Sequence, residues 1–273
     1  MRQIANWPPA GQWLALVAGG LAAGYLLQRL HLPAGLMVGP LVIGAVLGMR
    51  GVTVRVPQRA HQLAQGIAVC LIALHIHPDV LPRAIALWPV IVIFVGLTFV
   101  AACATGVLAA VWTGIDREVS VWGFLPGMAG TVIAIAHERG LDSRMVAFIQ
   151  ILRLMVVIAS MVAVATALSG PDGTPITGDV PADLRSTLLA AAIACLGVAA
   201  ARWLPWLPAG ASLVPLTLAT GLSVSGFGLA MPLWMISAGF LGLGLQIGLR
   251  FTPDLVRTGI AAFPALLASS LLL

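Results

Sequence analysis

Two stretches of this chain carry residues that could do chemistry. One is Phe124-Leu125-Pro126-Gly127-Met128-Ala129-Gly130-Thr131, an apolar segment broken by a Pro-Gly pair and followed by a helical run closing on His137-Glu138-Arg139. The other is Gln150-Ile151-Leu152-Arg153, set inside the apolar run Met145–Leu168. A Pro-Gly break frees backbone N–H and C=O groups, which hydrocarbon tolerates only against protein or a water-filled cavity. Broken helices of this kind mark binding sites in transporters, where the free N–H groups of a half-helix attract anions. Arg153 lies nine residues into a helix beginning near Arg144, about 13–14 Å deep at a rise of about 1.5 Å per residue. That is near the middle of a hydrocarbon core about 30 Å thick, where a charge is costly and points to function by default.

Gln150 shares the Arg153 face of the helix, three positions earlier. The half-helix Met128–Glu138 is about 16 Å long, so its start reaches the same depth, and Thr131 adds a hydroxyl there. Pro126, Gly127, Met128, Gly130, Thr131, Gln150 and Arg153 are therefore the expected substrate-binding set. The helix start and Arg153 would receive a negative group, and Gln150 and Thr131 would orient it. The plainer roles are a space-filling hairpin and an arginine bonded to carbonyls that the break frees. His137 and Glu138, at the mouth, could relay protons, although residues closing a membrane helix are commonly just solvated.

Other candidates read as structure. Pro78-Asp79 and Pro253-Asp254 resemble helix starts, with the acid favourable in a first turn. His75 and His77 are two apart, a spacing that does not share a helix face, and no Cys or third His is near in sequence, so no metal site is expected. Cys70, Cys103 and Cys195 sit inside apolar runs without CxxC spacing and read as small buried hydrophobes. No Ser-His-Asp or Cys-His ordering stands out, so the chain is not expected to be an enzyme, and nothing in it calls for a cofactor.

The elements that must position these residues are membrane helices. Sixty per cent of the residues are hydrophobic and only 8% are charged, with mean hydropathy +1.05, outside the range of soluble domains. All 14 basic residues are Arg, scattered a few per loop, which is a topology signal and not a nucleic-acid surface. Spans are expected at about Gln12–Leu27, Ala34–Met49, His61–His75, Arg83–Trp112, Met145–Leu168, Leu184–Ala201, Ala209–Val224, Leu233–Leu249 and from Thr258 onwards, with the broken stretch over about Val119–Ala136. Pairs such as Gly20–Gly24, Gly35–Gly39, Gly44–Gly48 and Gly244–Gly248 have the small-xxx-small spacing of close helix packing.

The chain also repeats itself. Leu32-Pro33-Ala34-Gly35 returns as Leu207-Pro208-Ala209-Gly210, and at the same spacing Pro40 pairs with Pro215, Pro57 with Pro232, Pro78-Asp79 with Pro253-Asp254, and Pro89 with Pro264. This is an internal duplication. It divides the chain into a first repeat at 1–169, an exposed Gly/Pro/Asp-rich linker at 170–183, and a second repeat at 184–273. The second repeat is expected to be truncated in this sequence, either as a fragment or as a half naturally cut short, because a partner for Pro126-Gly127 would fall past Leu273. If the broken stretch crosses the membrane, the loop arginines divide six against seven between the sides, which shows no bias. If it dips in and returns, Arg2, Arg50, Arg55, Arg59, Arg117, Arg139, Arg144, Arg202, Arg250 and Arg257 face Arg29, Arg83 and Arg185. The positive-inside rule favours the second topology, with the N-terminus cytoplasmic and the repeats inverted.

Leu32-Pro-Ala-Gly-Leu-Met-Val-Gly-Pro40, the Pro-Gly stretch and Gln150-Ile-Leu-Arg153 resemble the AbrB family of bacterial membrane proteins, from about Gly19 to the C-terminus. Two departures are Met128, where the family usually has a second Gly after Pro-Gly, and the missing second Pro-Gly segment. The resemblance implies a duplicated membrane domain, and its members carry the labels regulator and ammonia monooxygenase. The expectation is an all-α integral membrane protein, an inverted-repeat helical bundle with short and broken helices and a Pro-Gly re-entrant segment, in the bacterial inner membrane. Its expected activity is secondary transport of a small organic anion. The alternative is a membrane-embedded ligand-binding regulator of gene expression, with the ammonia monooxygenase reading third because metal ligands are lacking. Expected partners are the lipid bilayer, a small anionic solute and, where one copy cannot complete a site, a second copy; nucleic acid is not among them.

Overall fold

A computed structural model describes residues 7–30, 32, 34–76, 80–127, 129–168, 183–204, 206–207, 209–225, 230–253 and 263–272. Among them all regular structure is helical: α1 Pro9–Arg29, α2 Gly35–Met49, α3 Gln58–Leu74, α4 Val80–Ala86, α5 Trp88–Thr113, α6 Arg117–Phe124, α7 Ala129–Glu138, α8 Ser143–Leu168, α9 Leu184–Trp203, α10 Gly210–Val224, α11 Leu233–Gly248 and α12 Phe263–Leu272. Helices α1, α5, α8 and α9 are long and apolar enough to cross a membrane, and α2, α10 and α11 are shorter apolar helices. The protein is an all-α membrane protein, the architecture in which every backbone polar group can be satisfied within its own segment.

The chain forms two compact units that cut across the expected division at 170–183: Met1–Ala86 with Ser169–Arg250, and Leu87–Leu168 with Phe251–Leu273. Residues 170–182 lie outside the described residues, as do Pro33, His77, Pro78, Asp79, Met128, Pro208 and Asp254.

In the first unit, α9, α10 and α11 start at one constant spacing in sequence after α1, α2 and α3. The packing follows the same correspondence. Helix α1 lies on α2 as α9 lies on α10, α2 on α11 as α10 on α3, and α3 on α9 as α11 on α1, while α3 and α11 pack on each other. Local geometry agrees. Ala34 and Ala209 cap α2 and α10 with left-handed backbones, φ 57° and 56°, a conformation that costs a non-glycine residue about 1–2 kcal/mol. Pro40 and Pro215 lie inside those helices, both buried. Close approach is set by glycine: a Cβ on Gly39 would stand 2.2 Å from the Gly24 nitrogen, and one on Gly248 would stand 2.3 Å from the Leu41 carbonyl oxygen. Gln12, almost fully buried, ties α1 to the loop after α2, its Oε1 accepting from the Thr53 and Val54 N–H groups at 3.0 and 3.4 Å.

The second unit holds α5, α6, α7, α8 and α12. The expected single span Arg83–Trp112 is interrupted at Leu87, between α4 and α5. Trp88-Pro89 opens α5, where the missing proline N–H costs nothing because the first turn has no intrahelical acceptor for it. Gly114, φ 70°, ends α5. Asp116 then caps α6, its carboxylate accepting from the N–H groups of Glu118 and Val119 at 2.8 and 3.3 Å, as an N-cap acid should. Helix α6 lies against α5 through the buried Ser120, whose hydroxyl donates to the Gly106 carbonyl at 2.7 Å. It meets α8 at Gly123, where a Cβ would stand 2.7 Å from the Ile149 Cβ.

Candidate functional site

The broken stretch folds back on itself. Val119, near the start of α6, and Ala136, near the end of α7, share one buried cluster with Val132 and with Val146 at the start of α8. The Arg139 guanidinium, just past α7, lies 5.3 Å from the centroid of the Trp122 ring in α6, within cation–π range. Two helices running end to end would hold Val119 and Ala136 roughly 25 Å apart at about 1.5 Å per residue, so α6 and α7 are the arms of a hairpin. The arms have 8 and 10 residues, about 12 and 15 Å, each about half of a hydrocarbon core. The Pro126-Gly127 break is the tip of this hairpin, and Arg117 and Arg139 lie at its open end.

Helix α8 starts at that open end, its first N–H groups held by Asp142, which accepts from Arg144 and Met145 at 3.0 and 3.2 Å. It then runs alongside α6, so Gln150 and Arg153 arrive at the α6 terminus. Gln150 Nε2 donates to the Trp122 carbonyl at 3.4 Å, and Arg153 Nη1 donates to the Phe124 carbonyl. Both pairings follow from the break. In an unbroken helix the Trp122 carbonyl would accept from residue 126, but Pro126 has no N–H. The carbonyl end of a helix also carries partial negative charge, which a cation stabilises. Gln150 and Arg153 therefore close the end of α6 that the Pro-Gly pair leaves open.

That role leaves capacity unused. Gln150 is 5% exposed, and its Oε1 is buried without a hydrogen-bond partner among the described residues. Arg153 is half-buried and has five N–H donors to offer, of which the bond to Phe124 takes one. No acid compensates it from these helices: α8 contains no Asp or Glu, and Glu118 and Glu138 are exposed at the far ends of α6 and α7.

The expected site residues are brought together in part. Pro126 and Gly127 are at the tip, both exposed, and Gln150 and Arg153 reach the α6 side of it. Gly130 and Thr131 lie in the first turns of α7; the Thr131 side chain and Met128 are outside the described residues. His137 and Glu138, exposed at the end of α7, are separated from the tip by most of the arm. His75 caps α3, its Nδ1 3.0 Å from the Leu71 carbonyl, and its expected neighbour His77 is outside the described residues. The Arg153 bond to the Phe124 carbonyl is the plainer of the two expected roles, an arginine bonded to a carbonyl that the break frees. That Gln150 would close the Trp122 carbonyl beside it was not expected, although Pro126, four residues after Trp122, is the signal that orphans that carbonyl.

A model of the AbrB family, described as transition state regulatory protein AbrB, matches residues 46–273. The chain belongs to the AbrB family. A relative from Escherichia coli (strain K12), "Putative regulator AbrB", is 29% identical over 271 residues, covering 96% of this chain and 76% of its own length. No solved structure matches the chain. The hairpin tip, Gln150 and Arg153 all fall inside the part that the AbrB family model covers.

Proposed function

We propose that this AbrB-family protein is a secondary transporter of a small organic anion, lying in the bacterial inner membrane with its N-terminus cytoplasmic. The observation that carries this reading is Arg153: a half-buried cation at the tip of a broken helix hairpin, with one donor on a backbone carbonyl and no acid on α6, α7 or α8 near it. An uncompensated charge deep in a membrane is costly, and an anion arriving from either side would offset that cost. The N–H groups that open α7 would face the same anion with partial positive charge. Nothing in this reading requires a metal, a cofactor or bond-making chemistry.

The fold supports the reading in two further respects. A hairpin with half-length arms suits a segment that enters the membrane and returns, which is the topology that gathers most loop arginines on one side. The matched packing of α1–α3 and α9–α11 suits an internal duplication, inverted if the hairpin is re-entrant, and inverted repeats around a central site are a recurrent plan of secondary transporters. A second reading is favoured by the names of the family and the relative: a membrane-embedded regulator of gene expression that binds the same anion without moving it. Concentration-driven uptake of radiolabelled short carboxylates into proteoliposomes separates the two. Saturable uptake that Arg153→Gln removes supports transport; saturable binding in detergent without uptake favours the regulator.

A further inference from the structure

The unused acceptor on Gln150 says something about the ligand. Its amide is pinned by the Nε2 bond to the Trp122 carbonyl, which fixes which end is the donor and leaves Oε1 as a pure acceptor. That oxygen is buried and meets no protein donor among the described residues. Buried polar atoms are satisfied in the great majority of cases, and leaving one unpaired is expensive. The Arg153 head sits on the carbonyl two residues further along α6, so the two side-chain heads are only about 3 Å apart along the helix axis. One presents positive N–H donors and the other a neutral acceptor. A plain carboxylate, or an inorganic anion without an O–H group such as chloride or sulfate, has only acceptors and can answer Arg153 alone; against Gln150 Oε1 it would set lone pair against lone pair.

Resting on the anion-site reading above, we infer that the ligand is a short hydroxycarboxylate. Its carboxylate pairs with Arg153, and its hydroxyl, a few ångströms away, donates to Gln150 Oε1. Sites built to bind a substrate hydroxyl reject the analogue lacking it, because their own buried partner is then left unpaired. The ligand is thereby discriminated from its deoxy analogue by a group that carries no charge.

The test uses the full chain in proteoliposomes with paired solutes: glycolate against acetate, lactate against propionate, malate against succinate. Each pair is measured as competition for uptake and as thermal protection in detergent. In at least one pair the hydroxy acid should bind about tenfold more tightly than its partner, the effect of one hydrogen bond to a buried acceptor. Gln150→Met, similar in length and without the acceptor, should bring that ratio to about one. The ratio is internal to each preparation, so a reduced yield of folded variant does not disturb it. Should the variant fail to fold, the ratio in the unaltered protein still decides. Equal affinity within each pair, with uptake intact and abolished by Arg153→Gln, overturns the hydroxycarboxylate assignment and leaves anion transport standing. No uptake and no protection by any solute in the panel overturns both.

Discussion

Replacing Arg153 separates what it does for the fold from what it does for a ligand. Its structural part is one charged donor on the Phe124 carbonyl. Hydrogen bonds to charged groups contribute about 1.5–3 kcal/mol, whereas polar contacts between membrane helices average about 0.6 kcal/mol, because other partners are found when one is lost. A loss of about 1 kcal/mol of stability is therefore expected for Arg153→Gln, whose amide can still donate one bond. The ligand part is larger. Removing one partner of a buried charge pair costs about 3–5 kcal/mol, a fall of roughly 10²–10³ in affinity or more. Arg153→Lys keeps the charge and a donor for Phe124 but loses the planar fork that binds a carboxylate with two parallel bonds. It should stay folded and lose about tenfold in affinity. The assay is solute uptake in proteoliposomes, normalised to folded protein and set beside melting in detergent. A ligand-binding role for Arg153 is refuted if Arg153→Gln protein melts far earlier while its folded fraction transports at the native rate, or if Arg153→Lys transports normally.

Three further outcomes are expected. In a background without Cys70, Cys103 and Cys195, cysteines placed at Arg117 and Arg139 should both be labelled from the cytoplasmic side; labelling from opposite faces removes the re-entrant hairpin and with it the inverted repeat. Gly39→Ala should lower stability by about 1–3 kcal/mol through overpacking, since its Cβ would stand 2.2 Å from the backbone of Gly24; Gly96→Ala in α5, where a Cβ meets nothing within 4 Å, should melt no earlier than the parent. The Asp183 carboxyl is held below its ordinary value of 3.8, first by the Ser186 hydroxyl and then by the Ser186 N–H. Its capping of α9 should be constant above the ordinary aspartate range and fade as pH falls through that range towards the depressed value. Protection of the Ser186 amide, taken relative to its intrinsic exchange rate at each pH, that shows no fall at any pH below the ordinary aspartate range would contradict this.

Much of the frame was legible because membrane helices obey few rules. Apolar runs bounded by Arg, Pro and Gly locate α2, α8, α10 and α11 to within about two residues, since a helix in lipid ends where polar groups can reach water. Leu87 shows where such reading stops. Hydropathy runs straight through from Arg83 to Trp112, and the interruption comes from Pro89, whose ring favours a first turn without forbidding an interior kink. The units were not legible either. A repeat is a property of sequence, and it says nothing about whether one half packs on itself or, as α2 with α11 and α3 with α10 do, on its counterpart.

The site divides in the same way. Arg153 and Gln150 are conspicuous because polar side chains in an apolar run need partners, and Pro126 announces that Trp122 has a carbonyl to spare. What joins them is a contact between residues 28 apart, fixed by Gly123 letting α6 lie against Ile149 of α8. Helix α8 is apolar nearly all round, so no stripe in its sequence marks the face that turns to α6. The close approach of one glycine sets the register, and the register decides which two carbonyls meet which two side chains. Chemistry at this tip is thus specified by types of residue that sequence displays openly and by a packing contact that it displays only as one glycine among thirty. A bulky residue at 123 should therefore disturb ligand discrimination as well as stability, by sliding Gln150 off Trp122 while leaving every polar group of the site in place.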